Sequence, residues 1–151
     1  MELIRTAKVF LFDLDGVFYQ SGKPLPGAID ALSYLRKSNL PFRFLTNTTT
    51  KNRHTLQENL TNIGLACIEN EIISAGFAGI DFLRKKGSPS CRFFITENLK
   101  QDYIEFEEDL ENPEVIVIGD FDEWTYDLLN DAFYHVMNGA EIIALHKGKY
   151  Y

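Results

Sequence analysis

The sequence has few cysteines, no excess of basic residues and no long apolar run. Its two cysteines, Cys67 and Cys91, lie far apart without metal-ligand spacing, which indicates reduced thiols. There are 22 acidic and 15 basic residues, and the net charge of −7 argues against binding nucleic acid through its phosphates. No stretch approaches the roughly 18 apolar residues of a membrane span, and the first residues do not resemble a signal peptide. We therefore expect a cytoplasmic protein with neither nucleic-acid nor membrane partners.

The alternation of short apolar runs with helix-like segments is typical of an α/β fold with right-handed crossovers. The chain of 151 residues is long enough for one domain, or for one domain and part of another. The predicted strands cover residues 7–13, 42–46, 91–96, 114–119 and 141–146. The predicted helices cover residues 28–38, about 50–63, 75–86, 98–106 and the segment between Thr125 and Gly139. A Gly-Ser-Pro-Ser break at 87–90 indicates that the second half is a separate small α/β unit.

The apolar faces of these segments predict which residues are buried. Residues 7–13 are almost all apolar, as in a central strand of a parallel sheet that is buried on both faces. The threonines at 48–50 are predicted to cap the helix that follows them. Helical spacing predicts two core-facing stripes, formed by Ile29, Leu32 and Leu35 in one helix and by Leu128, Leu129, Ala132, Phe133 and Val136 in another.

Two carboxylates follow the first predicted strand, in the stretch Asp13-Leu14-Asp15-Gly16. Ligands of open α/β sheets bind at the carboxyl ends of strands, and strand alternation places Asp13 and Asp15 on one side with Leu14 opposite. Neighbouring carboxylates repel each other unless a divalent cation lies between them or one of them keeps its proton. Either arrangement indicates a reactive site, and Gly16 allows the chain to turn sharply beside it.

Two simpler readings of this stretch compete with a reactive site. Asp-x-Asp-Gly is also ordinary turn chemistry after a strand, and this alternative stays open on the spacing alone. A calcium loop is excluded because its glycine would come later and its twelfth residue, counted from Asp13, is Pro24 instead of glutamate.

The second candidate segment is FLTNTTT at residues 44–50. Here Thr46 and Asn47 end an apolar strand beside a helix start, and a hydroxyl, an amide and free N–H groups suit a phosphate oxygen. A plain capping segment in front of the helix is the alternative reading.

Together, DLDGVFY and FLTNTTT resemble the haloacid dehalogenase (HAD) superfamily of phosphatases. The likeness extends through Pro26-Gly27, IISAG at 72–76, VIVIGDF with Thr125-Tyr126, and the closing GAEIIALHKGKYY. Within the superfamily, the likeness is to subfamily IIA. It is greatest to the branch of that subfamily that contains phospholysine phosphohistidine inorganic pyrophosphate phosphatase. The resemblance implies the N-terminal part of a Rossmann-like HAD core over residues 1–76 and an inserted α/β cap over residues 77–151.

The resemblance also implies a mechanism and a site. Asp13 would be the nucleophile that forms an aspartyl-phosphate, and Asp15 would be the general acid and base. Mg²⁺ would bind Asp13 and the main-chain carbonyl of Asp15, while Thr46 and Asn47 would hold the phosphoryl group of a small phosphorylated substrate. Cap-mediated homodimers are the expectation for this subfamily.

Two elements of the family pattern have no match in the sequence, namely a charge-balancing lysine and a second acidic metal motif. Gly119-Asp120 is not taken as that motif, because no acid follows four or five residues later and the strand belongs to the cap. We therefore expect that the chain stops early and that its cap is incomplete. The alternative function is a catalytically incompetent chain that acts as a binding protein or needs a complementing partner.

Overall fold

The structure, a computed structural model, describes residues 8–148, which divide into two compact units. The first unit contains the residues up to Thr46 together with Arg53–Ile73. The second contains Asn47–Asn52 and the residues from Ser74 on. The division predicted at residues 76 and 77 stays a prediction.

The first unit is built on a small sheet with strand order β1-β4-β5, in which β1 and β4 run parallel. A two-stranded antiparallel ribbon of β2 and β3 follows β1. The strands of this unit are β1 (Phe10–Asp13), β2 (Tyr19–Gln20), β3 (Lys23–Pro24), β4 (Phe42–Thr46) and β5 (Ile72–Ser74). The helices are α1 (Ala28–Lys37) and α2 (Arg53–Asn62), and a 3-10 turn at Glu69–Glu71 precedes β5.

Aromatic rings form the centre of the first unit. Phe18 packs edge-on against Phe12 and against Phe44, with ring centroids 5.4 and 5.2 Å apart. Helix α1 buries Leu32 and Leu35 as predicted, but Ile29 is 46% exposed. The buried stripe of α1 is completed by Ala28 instead, because this position lies one turn before Leu32 on the same side of the helix.

Strand β1 differs from the predicted strand 7–13. It begins at Phe10, and residue 7 lies outside the described part of the chain. Its burial alternates, and Leu11 is 57% exposed, so the prediction of burial on both faces is wrong for residues 8–148. Within that range β4 is the only strand paired with β1, which leaves β1 at an edge of the described sheet.

The second unit contains a parallel sheet with strand order β6-β7-β8. Its strands are β6 (Cys91–Phe94), β7 (Val115–Ile118) and β8 (Glu141–Ala144). Its helices are α3 (Ala75–Lys85), α4 (Glu97–Lys100), which continues into a 3-10 turn at Gln101–Tyr103, and α5 (Tyr126–Met137). Strand, helix, strand, helix and strand follow one another from β6 to β8, so the predicted α/β fold is confirmed.

Helix α5 begins and ends where the sequence predicts. Thr125 caps it by accepting a hydrogen bond from the N–H of Leu128 at 3.2 Å, and Gly139 follows it with φ +103°. Two of the five residues predicted to face the core do not do so, since Leu129 is 58% exposed and Phe133 is 64% exposed. The sheet-facing side of the helix instead carries Leu128, Ala132, His135 and Val136.

Helix α2 begins at Arg53, after the threonines predicted to cap it. None of the helices in residues 8–148 is long and apolar enough to cross a membrane.

Candidate active site

The turn after β1 presents two exposed carboxylates on either side of a buried leucine. Leu14 is 1% exposed, and its carbonyl accepts hydrogen bonds from the N–H groups of Val17 and Phe18 at 3.3 and 3.0 Å. This anchoring fixes the chain between Asp13 and Asp15, both of which are exposed. The burial of Leu14 and the exposure of both aspartates agree with the predicted alternation, which places Asp13 and Asp15 on one side and Leu14 opposite.

Gly16 gives the turn its shape. Its φ of +74° lies in the left-handed region, which glycine adopts without the steric cost that other residues incur. Its N–H donates to the carbonyl of Tyr19 at 2.8 Å and closes the turn into the β2–β3 ribbon. A Cβ at Gly16 would meet no atom within 4 Å, so backbone conformation and not crowding favours glycine here.

Each aspartate carboxylate accepts one local hydrogen bond. The N–H of Leu14 donates to Asp13 Oδ1 at 2.9 Å, which limits rotation of that carboxylate at the strand end. The hydroxyl of Tyr19 lies 3.4 Å from Asp15 Oδ2, at the long limit of a hydrogen bond. Tyr19 is not among the site residues predicted from the sequence, although its position four residues after Asp15 at the start of a ribbon is a usable signal.

Thr46 lies at the same edge of the first sheet as Asp13. The parallel register pairs Asp13 with Leu45, so Thr46 ends β4 one residue further along. Parallel strands bring their carboxyl ends to one edge, as the prediction for this site requires. The first unit therefore brings three of the predicted site residues to one edge of its sheet, namely Asp13, Asp15 and Thr46. The fourth, Asn47, is exposed and belongs to the second unit.

The oxygen donors at this strand end are of the kind that Mg²⁺ prefers. Mg²⁺ is usually held by one or two carboxylates together with waters and substrate phosphate, and the Asp13 carboxylate with the main-chain carbonyl of Asp15 offers oxygen donors of this kind. Residues 8–148 contain no group of three or more histidine, cysteine or acidic side chains that could hold a metal ion by themselves. The residues present thus fit a partly hydrated magnesium ion and not a closed metal cage.

The cysteines do not supply an alternative nucleophile. Both are free and buried, and burial raises the pKa of each thiol to about 11. Glu71 adds to the rise at Cys67, and Glu114 adds to it at Cys91. Because the thiolate is the reactive form, only a small fraction of either thiol is reactive at neutral pH.

Comparison with known proteins identifies the family. Residues 10–108 match the sequence pattern of haloacid dehalogenase-like hydrolases. The chain belongs to this family.

Three relatives show how far the likeness extends. Haloacid dehalogenase-like hydrolase domain-containing protein 2 of Mus musculus is 31% identical over 148 residues, which are 97% of this chain and 56% of that protein. Phospholysine phosphohistidine inorganic pyrophosphate phosphatase of Rattus norvegicus is 31% identical over 148 residues, 93% of this chain and 54% of that protein. The crystal structure of 4-nitrophenylphosphatase from Thermotoga maritima superposes with a TM-score of 0.85 at 27% identity, covering 93% of this chain and 55% of that one.

These relatives confirm the resemblance to subfamily IIA of the HAD family that the sequence motifs indicated. The chain spans a little more than half of the length of each of them, between 54% and 56%.

Proposed function

We propose that this HAD-family protein is a Mg²⁺-dependent phosphatase that hydrolyses small phosphorylated substrates through an aspartyl-phosphate on Asp13. The observation that carries the proposal is the pair of exposed carboxylates, Asp13 and Asp15, on an anchored turn at the carboxyl end of β1. The end of β4 with Thr46 lies beside it in register. Support also comes from relatives that are named as phosphatases.

In the first half of the proposed reaction, a carboxylate oxygen of Asp13 attacks phosphorus. A bond forms between that oxygen and phosphorus while the bond from phosphorus to the leaving oxygen breaks, and Asp15 donates its proton to the leaving oxygen. The hydrogen bond from the Leu14 N–H holds the Asp13 carboxylate in one orientation, which reduces the entropy cost of attack.

In the second half, water attacks the phosphorus of the aspartyl-phosphate. Asp15, now ionised, takes the proton of this water, and the bond between phosphorus and the Asp13 oxygen breaks to release inorganic phosphate. The hydroxyl of Thr46 and the amide of Asn47 donate hydrogen bonds to phosphoryl oxygens in both halves. Asp13 and Asp15 are then back in their starting protonation states.

Mg²⁺ would be held by the Asp13 carboxylate and the main-chain carbonyl of Asp15. When bound, it supplies positive charge that offsets the charge of the transferring phosphoryl group. The relatives are named for different phosphorylated compounds, so the proposal for this chain extends to small phosphorylated molecules as a class. A cytoplasmic location, with reduced thiols at Cys67 and Cys91, is part of the same proposal.

Trapping of the intermediate tests the proposal. The full-length protein is mixed with Mg²⁺ and 4-nitrophenyl phosphate, quenched in acid during turnover, digested and analysed by mass spectrometry. We expect one phosphoryl group on the peptide that contains Asp13. Asp13→Asn should abolish both the phosphopeptide and turnover while leaving the unfolding midpoint unchanged, and Asp30→Asn, an exposed aspartate on α1, is the matched control.

The competing function is a binding protein without turnover. It is favoured by the small number of metal ligands in residues 8–148, which offer two carboxylates at the end of β1 but no group of three or more side chains that could hold a metal ion. This alternative predicts that neither wild type nor Asp30→Asn forms a phosphoenzyme. A phosphoryl group found on a residue other than Asp13 would refute the assignment of the nucleophile.

A further inference from the structure

The loop between β4 and α2, residues 47–52, is attached to the second unit by its own buried polar groups. Thr49 is 2% exposed and Asn52 is 4% exposed, which is unusual for polar residues in a connecting loop. Thr49 Oγ1 accepts a hydrogen bond from the main-chain N–H of Asp120 at 3.0 Å, just after β7. The threonine predicted as a helix cap therefore binds an element of the second unit.

Asn52 makes two further connections of this kind. Its main-chain N–H donates to Asn98 Oδ1 and its side-chain Nδ2 donates to Gln101 Oε1, both at 2.9 Å. The main-chain carbonyl of Thr50, between the two buried residues, accepts a hydrogen bond from Thr96 Oγ1 at 2.7 Å. The carbonyl of Thr48 also accepts a hydrogen bond, from the N–H of Gly76 on α3 at 3.4 Å. The loop is thus bonded to the rest of the second unit at four of its six residues.

Buried polar groups of this kind fix the loop because they cannot exchange their partners for water. Leaving a buried donor or acceptor unpaired is costly, and displacement of the loop from the rest of the second unit would break several such bonds at once. Asn47 comes two residues before Thr49, and consecutive Cα atoms are about 3.8 Å apart. The anchor at Thr49 therefore limits where Asn47 can lie.

We propose that Thr49 and Asn52 are positioning residues through which the second unit sets the conformation of the loop that carries Asn47, and with it the affinity for the phosphoryl group. The inference rests on the proposed function for the role of Asn47. Asn47 belongs to the second unit together with Thr49 and Asn52, so its backbone is held by the bonds of these two residues within that unit. Substitutions at Asn98 and Gln101, which lie outside the candidate site, should then change substrate affinity.

The test compares three variants of the full-length protein. Asn98→Ala/Gln101→Ala removes both acceptors of Asn52, whereas Asn98→Asp/Gln101→Glu keeps an acceptor oxygen at each position. Glu97→Ala, an exposed residue of the same short helix, is the matched control. The measurements are amide hydrogen exchange of residues 47–52, and KM and kcat with 4-nitrophenyl phosphate.

We expect the double alanine variant to lose exchange protection in residues 47–52 but not in α2. Its KM should rise about threefold to tenfold, the equivalent of one or two ordinary hydrogen bonds, with a smaller fall in kcat. The acidic pair should restore both values towards wild type. If hydrogen exchange of residues 47–52 in the double alanine variant is unchanged, the inference is overturned. It is also overturned if exchange becomes faster while KM stays unchanged. If wild type hydrolyses no phosphate ester, the proposed function fails, and the exchange result alone decides whether the second unit holds the loop.

Discussion

Arg36 and Glu71 form a bidentate ion pair, with Nη1–Oε1 and Nη2–Oε2 distances of 2.8 and 2.7 Å. It joins the last turn of α1 to the 3-10 turn that precedes β5. Burial alone would raise the pKa of Glu71, but the hydrogen bonds from Arg36 and from the N–H of Ile68 outweigh burial and lower it. This pair therefore stabilises the first unit in a pH-dependent way.

Glu71→Gln should destabilise the folded protein by about 1 kcal/mol at pH 7, a value reduced for the exposure of Arg36. The pKa of Glu71 is lower in the folded protein than in the unfolded chain. The stabilisation is therefore complete above the usual glutamate pKa of about 4.3, and it is lost as the pH falls through the lower pKa of the folded protein. Urea unfolding from pH 7 to pH 3 measures the difference. Glu97→Gln should show no such difference, and a constant difference at every pH would contradict the role of the Glu71 charge.

The sequence predicts most of the fold because its strands and helices carry clear apolar periodicity. Strand β7 and helix α5 lie where their patterns place them, since a buried apolar run and a Thr cap are local signals. The short ribbon of β2 and β3 was not predicted, because its stability depends on contacts of the turn after Asp15. The exposure of Phe133 was also not predicted, because helical spacing does not tell which of two apolar sides faces a sheet.

The candidate site is also predictable from the sequence only in part. Asp13, Asp15 and Thr46 are found at strand ends because the carboxyl ends of parallel strands share one edge. The role of Thr49 could not be read from the sequence. Its partner, the N–H of Asp120, is 71 residues away. A threonine just before a helix can cap that helix or bind a distant segment, and the sequence pattern is the same in both cases.

Asp15→Asn should slow turnover by an amount that depends on the leaving group. A positioned general acid contributes about 10²–10⁴-fold, and most of this matters when the leaving oxygen is strongly basic. The loss in kcat should therefore be much larger with an alkyl phosphate than with 4-nitrophenyl phosphate, whose leaving group needs little protonation. Steady-state rates with both substrates measure the ratio. An equal loss with both would contradict the role of Asp15 as proton donor.

Cys67 and Cys91 should be protected from alkylation in the folded protein. Their burial and pKa values of about 11 leave little thiolate at pH 8. Iodoacetamide labelling followed by mass spectrometry should show almost no modification of native protein and complete modification of both thiols in guanidinium chloride. Rapid labelling of either thiol without denaturant would mean that its region opens readily.

Tyr103 should stabilise the second unit through its hydroxyl, which donates to the main-chain carbonyl of Gly76 on α3 at 2.6 Å. The side chain is 1% exposed, and burial raises the pKa of its phenol. Tyr103→Phe leaves that carbonyl without this donor and should cost about 1–2 kcal/mol. Tyr126→Phe, at a position that is 78% exposed, is the control and should be neutral. Denaturant unfolding of both variants distinguishes a loss specific to the buried hydroxyl.

We predict that the homodimer expected from the family resemblance forms through the outer side of α5. This side carries five large side chains that are each more than half exposed, namely Tyr126, Leu129, Phe133, Tyr134 and Met137. Three of the five are aromatic, a class of side chain with about 150–250 Å² each, and these three are 61–78% exposed. Together with Leu129 and Met137 they offer on the order of 500 Å², a large share of the roughly 800 Å² that each partner contributes to a standard interface. Exposed apolar patches of this size mark contact surfaces.

A second copy of the chain is the partner to which this prediction commits, because one helix related by a two-fold axis presents the same apolar residues to itself. Phe133→Asp should convert a dimer into a monomer in sedimentation equilibrium, since the introduced charge would be buried without a partner. Tyr34→Asp, an exposed aromatic on α1, should leave the dimer intact. A wild-type protein that is monomeric at every concentration tested would contradict the prediction and would mean that something other than a second copy covers α5.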